Sequence, residues 1–131
     1  MGSIFRNAAA FGVQKIYLTG ITGTPPRKEI SKVALGAEHL VDWVNCSIEE
    51  AVNECRADGM AVFGLENTKN AKKLQDIDQH TDFALVLGNE VEGIDGDTLA
   101  LLDDCLVIPM KEKKSLNVAV ASGIAMFYFS V

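Results

Sequence analysis

Phe83-Ala84-Leu85-Val86-Leu87-Gly88-Asn89-Glu90-Val91-Glu92-Gly93 runs five apolar residues without alternation into a glycine-bounded loop that carries two carboxylates. A short apolar run with no polar face, closed by turn residues, is the pattern of a strand buried on both sides. Lys15-Ile16-Tyr17-Leu18-Thr19, Met60-Ala61-Val62-Phe63-Gly64-Leu65 and Cys105-Leu106-Val107-Ile108 have the same form, and Val41-Asp42-Trp43-Val44 is a weaker fifth. Helix signals lie between them. Ser47-Ile48-Glu49-Glu50 is a capping box whose apolar stripe, Ala51, Val52 and Cys55, stops at Gly59. Pro25-Pro26 opens a second helical stretch from Lys28 to Gly36, and Asp95 to Leu102 reads as a third. This alternation predicts an α/β domain, a mostly parallel sheet flanked by helices.

Length and composition agree. The 131 residues, 48% hydrophobic and 23% charged, suit one compact domain over 1–131, with no linker or repeat dividing it. Twelve Lys and Arg against eighteen Asp and Glu give a net charge of −6, so any grip on nucleic acid has to come from local basic patches. Apolar runs are far shorter than the roughly 20 residues that cross a bilayer, and the start lacks a charged n-region. The expectation is a soluble cytoplasmic protein. Cys46, Cys55 and Cys105 are odd in number and lack zinc or redox spacing, which points to reduced, mostly buried thiols and no metal.

In a parallel sheet, ligands bind beyond the carboxyl ends of the strands, so the loops after residues 65, 87 and 108 are where chemistry is expected. Each also has an ordinary reading as a tight βα turn. Gly88 lets backbone approach a ligand closely, while Glu90 behind it could simply be solvated. Ser115 to Phe127 is apolar or small almost all round, which suggests a helix buried on more than one face and hence a subunit interface, where Ala119, Ser122 and Gly123 leave room for close approach. Ser115 reads as its N-cap, and Asn117 either satisfies first-turn amides or presents hydrogen bonds to a ligand. Arg6, on a short Ala-rich helix ended by Gly12, reads locally as a solvated charge. His39 and His80 suggest neither a metal nor a triad, and Lys111, Lys113 and Lys114 form the densest basic cluster, a candidate for phosphate contact.

Three segments taken in order carry a stronger signal: Gly2-Ser3-Ile4-Phe5-Arg6-Asn7-Ala8-Ala9-Ala10-Phe11-Gly12-Val13, then Leu85 to Ile94, then Ile108-Pro109-Met110 with Ser115-Leu116-Asn117-Val118-Ala119-Val120-Ala121-Ser122-Gly123. Together they resemble the three motifs of the SpoU/TrmH-type RNA methyltransferases of the SPOUT class, and the likeness spans essentially the whole chain. The resemblance implies an α/β fold with a deep C-terminal trefoil knot, a homodimer, and methyl transfer from S-adenosylmethionine to a ribose 2′-hydroxyl of tRNA or rRNA, without a metal. It implies that Leu65, Gly88, Ile108, Met110 and Leu116 line the cofactor pocket. Glu90, Ser115 and Asn117 match motif residues near the cofactor and target ribose, and Arg6 matches the arginine implicated in activating the hydroxyl.

Six residues before that arginine, where related sequences carry an asparagine, the count falls ahead of Met1. The expected domain therefore begins inside the first motif, with no substrate-binding domain before it. A Rossmann-like or flavodoxin-like nucleotide binder is the rival for the sheet pattern alone, but the chain lacks the glycine fingerprint after its first strand. A catalytically idle relative that binds RNA or a partner through the same dimeric fold is the other.

Overall fold

The computed structural model describes residues 2–19, 40–88, 93–111 and 116–130. In chain order these form α1 (Gly2–Ala10), β1 (Lys15–Thr19), β2 (Asp42–Cys46), α2 (Ile48–Ala57), β3 (Ala61–Leu65), β4 (Lys72–Lys73), a 3-10 turn (Leu74–Asp76), β5 (Phe83–Val86), α3 (Gly96–Leu99), β6 (Asp104–Val107) and α4 (Val118–Ser130). All strand pairings are parallel. β1 pairs with β2, and a second sheet has the order β4-β6-β3-β5. The α/β class with a parallel sheet and flanking helices is thus present, with all five expected strands in place within about two residues at each end, the scatter typical of element boundaries. The stretch 28–36 expected to be helical lies outside the described residues, as does His39.

Central strand β3 explains why the apolar runs do not alternate. Val62 faces Val52 and Cys55 of α2, whereas its neighbour Phe63 packs with Leu106 and with Ala125 and Phe129 of α4. Successive side chains leave a strand on opposite sides, so both faces are covered. Phe129 also stacks on Phe83, with ring centroids 4.4 Å apart. N-terminal α1 buries Phe5 against Leu18, and Ala8 against Val41 and Met126. Below β3, Asp103 closes the sheet: its carboxylate accepts the Val62 N–H at 2.7 Å and its own N–H donates to the Val62 carbonyl at 2.9 Å.

Helix α2 begins as expected. Ser47 Oγ accepts the Glu50 N–H at 3.1 Å, and the Glu50 carboxylate accepts the Ser47 N–H, the reciprocal box. Gly59, at φ +78°, turns the chain out of the helix in a conformation that a Cβ would strain.

Three expectations need correction. The helix expected over 95–102 is a single turn, Gly96–Leu99, capped by Asp95, because the chain then tightens into successive turns at Leu101 and Leu102. The last helix starts at Val118, not Ser115, and its cap is Asn117: Oδ1 accepts the Ala119 N–H at 2.8 Å and the Asn117 carbonyl takes the Ala121 N–H at 2.9 Å. Finally, only Cys55 among the three thiols is buried; Cys46 and Cys105 are half-buried.

Candidate functional site

The register of the four-stranded sheet brings its exits together. Gly64 pairs with Val86 on one side and Cys105 on the other, and Leu65 pairs with Leu106. Leu65, Gly88 and Ile108 therefore sit at the same end of three adjacent strands, each half-buried, as is Met110 two residues further on. Leu65 ends β3, and Ile108 stands one residue past β6.

Gly88 also makes a close backbone approach inside the protein. A Cβ on it would lie 2.4 Å from the Gly93 carbonyl carbon and 2.6 Å from the Ile94 nitrogen. The loop after β5 returns on itself, and its far side occupies the space next to Gly88. Gly93, at φ +71°, makes that return.

Arg6 stands on α1, and Leu116 and Asn117 precede α4, two helices that pack together. Asn7 Nδ2 donates to the Ala119 carbonyl at 3.0 Å, and a Cβ on Gly123 would come within 3.0 Å of the same Nδ2. The small residues of α4 thus make room for α1 within the protomer. Ser122 is fully buried and its Oγ donates back to the Ala119 carbonyl at 2.9 Å. Ser122, expected to leave room for a partner subunit, is instead enclosed within the protomer.

One residue before Asn7, Arg6 is exposed and makes no hydrogen bond or ion pair with any other described residue. Asn117 and Leu116 are also exposed, at the start of α4. Glu90 and Ser115 lie outside the described residues, as do Lys113 and Lys114; Lys111 is exposed. Two residues with no role expected from local pattern emerge as connectors: Asn7, and Glu66, whose carboxylate accepts the Ile94 N–H at 3.1 Å. Their partners are 112 and 28 positions away, beyond what local pattern can reveal.

A family model described as the SpoU rRNA Methylase family matches residues 1–127. The chain belongs to the SpoU rRNA methylase family. Among similar proteins, the 23S rRNA (guanosine(2553)-2'-O)-methyltransferase RlmP of Bacillus subtilis is 31% identical over 129 residues, covering 98% of this chain and 52% of that protein. The tRNA (guanosine(18)-2'-O)-methyltransferase of Escherichia coli K12 is 29% identical over 132 residues, covering 97% of this chain and 56% of that protein. A crystal structure of an rRNA methyltransferase from Sinorhizobium meliloti with AdoMet bound superposes with a TM-score of 0.89 at 27% identity, over 98% of this chain and 49% of that one. The chain thus spans about half the length of the curated SpoU-family relatives it matches.

Proposed function

We propose that this SpoU-family domain transfers a methyl group from S-adenosylmethionine to a ribose 2′-hydroxyl of tRNA or rRNA. The observation that carries the reading is the convergence of Leu65, Gly88 and Ile108 at one end of three adjacent parallel strands, the position at which such sheets bind ligands. The residue types there suit a nucleoside. Half-buried Leu65, Ile108 and Met110 offer apolar surface for a purine ring, and Gly88 leaves backbone within reach of its polar edges. With Leu116 they form the set proposed to line the cofactor pocket. The relatives named as 2'-O-methyltransferases and the AdoMet-bound neighbour support the same cofactor and RNA class.

S-adenosylmethionine supplies an electrophilic methyl carbon on a sulfonium. The protein's part is to hold the ribose oxygen in line with that carbon and to let the hydroxyl proton leave as the C–O bond forms and the C–S bond breaks. Arg6 is assigned to orient the hydroxyl. A guanidinium gives up its proton too reluctantly to be a good base, so its fork holds ribose and an adjacent phosphate while the phosphate assists proton departure. Glu90, Ser115 and Asn117 are assigned to the cofactor and ribose side of the site. No metal is needed for this chemistry.

The same reading includes the finer features of the family likeness: the C-terminal trefoil knot, one catalytic domain over 1–131, a cytoplasmic location and a homodimer. Support for the dimer is the row Val120, Ile124 and Phe127 on α4, which is 53%, 40% and 56% exposed. The spacing of four and three residues puts these apolar side chains on one helix face. The reading is tested by incubating the protein with methyl-labelled S-adenosylmethionine and tRNA or rRNA from the source organism, then mapping the linkage that resists alkaline hydrolysis. Label at one such linkage is expected; unlabelled RNA overturns the activity.

A further inference from the structure

Glu66 stands one residue beyond β3, where a carboxylate in an ordinary exit turn would point to solvent. Instead it connects the exits of three strands. Its N–H donates to the Leu106 carbonyl at 3.2 Å, extending the β3·β6 ladder by one step. Its carboxylate turns the other way, toward the loop after β5, and Oε2 accepts the Ile94 N–H at 3.1 Å. The same oxygen lies 2.7 Å from where a Cβ on Gly93 would stand. Glycine at position 93 is therefore required twice, by its φ of +71° and by the carboxylate against it.

Ile94 is fixed from its other end as well. Its buried side chain lies over Gly64, where an added Cβ would come within 3.1 Å of Ile94 Cδ1. The Gly93–Ile94 peptide held in this way is the group that presses on Gly88.

We propose that Glu66 is a positioning residue for the cofactor site: it clamps the Gly93–Ile94 peptide against Gly88 and so fixes the backbone that receives the nucleoside half of S-adenosylmethionine. The inference rests on the cofactor reading above. It acts through geometry and not through charge on the sulfonium, so it concerns S-adenosylmethionine and its neutral-sulfur product S-adenosylhomocysteine equally.

The test measures both affinities by calorimetry, together with hydrogen exchange at the Ile94 amide. Glu66→Ala is expected to weaken both ligands by at least about tenfold, the loss typical of a hydrogen bond to a charged group, and to remove protection of the Ile94 amide. Glu66→Gln keeps an acceptor oxygen at the same reach and is expected to restore both affinities to within about threefold. Gly93→Ala attacks the same contact from the loop side and is expected to reproduce the Glu66→Ala losses, which keeps the inference testable if Glu66→Ala does not fold.

Wild-type affinities and Ile94 protection in Glu66→Ala overturn the inference and leave the cofactor reading standing. A loss confined to S-adenosylmethionine overturns it in favour of direct charge contact. A wild-type protein that binds neither ligand overturns the cofactor reading and the inference with it.

Discussion

Helices α2 and α4 are of similar length but differently made. In α2 a reciprocal cap, two glutamates in the first turn and Arg56 in the last turn surround a single buried stripe, Ala51, Val52 and Cys55, of which Val52 and Cys55 pack on Val62 of β3. Everything the helix needs is within its own segment and one sheet face. Helix α4 has no acidic residue in its first turn and no basic residue in its last, and it buries Ser122, Ala125, Met126 and Phe129 against both α1 and the sheet. It still leaves Val120, Ile124 and Phe127 in the open, with Phe11 edge-on to Phe127 at 5.7 Å. A helix that only closes a core has one apolar face; α4 has a further one, and its first turn is tied to the helix that carries Arg6. The contrast separates scaffold from candidate machinery.

The largest test of that separation compares two exposed arginines. Arg56 on α2 donates to the Leu101 carbonyl and pairs with Asp103 at 3.3 Å, with both side chains about half exposed. Arg56→Ala is expected to cost within about 1 kcal/mol of stability and leave methyl transfer unchanged. Arg6→Ala is expected to lower methyl transfer by roughly 10²-fold or more with cofactor affinity nearly unchanged, because its contribution arises in the transition state. Arg6→Lys is expected to fail too, since lysine keeps the charge without the planar fork. Single-turnover transfer on an RNA that the wild type methylates, together with thermal melts, checks both. Wild-type turnover in Arg6→Ala returns this residue to the solvated surface.

A charge on each helix's outward face comes next. Phe127→Glu on α4 is expected to weaken self-association at least about tenfold, as burying an unpaired charge in an apolar contact should. Asn53→Glu on α2, at an exposed position, is expected to leave it unchanged. Sedimentation of both variants at micromolar concentration reads the result, and a wild type that sediments as a monomer removes the dimer.

The same pair of helices shows what the sequence could and could not disclose. Local signals were legible: the Ser47–Glu50 box, the stop at Gly59 and the apolar runs of β1, β3, β5 and β6 each fix conformation within a few residues. β4 was not, because Lys72 and Lys73 are an edge pair with no apolar pattern. Helical spacing marked α4 as apolar all round but could not say which neighbour takes which face. Ser122 and Gly123 therefore read as room for a second subunit, whereas Ser122 is enclosed in the protomer and Gly123 sits against Asn7 of the same chain. At the candidate site, strand order decides which exits adjoin, and no local pattern encodes strand order. The motif glycine at 88 could be recognised, but its contact with Gly93 and the clamp by Glu66 depend on the loop's return path.

Caps give a smaller contrast. Ser47→Ala and Asn117→Ala each remove an N-cap acceptor and are each expected to cost about 1 kcal/mol in chemical denaturation. They should differ in activity. Asn117 stands at the start of α4, in the segment assigned to the ribose side, so its loss is expected to lower methyl transfer as well, whereas Ser47→Ala is expected to leave transfer at the wild-type level. Equal activity in the two variants would make Asn117 a cap and nothing more.

The third cap, Asp95 at α3, differs from Ser47 and Asn117 in being an acid, and it gives the smallest effect. Its Oδ1 accepts the Thr98 N–H at 2.7 Å, and that bond holds the carboxyl below its ordinary value of 3.8. A carboxyl lowered in the folded state stabilises the fold above its unfolded pKa, and the contribution disappears as pH falls through the folded value. The relevant window therefore lies below about pH 4. Asp95→Asn retains an acceptor at the cap but does not titrate. The melting temperature of the wild type is expected to fall slightly faster than that of Asp95→Asn as pH is lowered from about 6 to about 2, any advantage at the higher pH fading at the lower. Full exposure of the side chain keeps the difference small, and salt should reduce it further. A difference between the two proteins that stays constant across this range would show that the cap works through its hydrogen bond alone, as at Ser47 and Asn117.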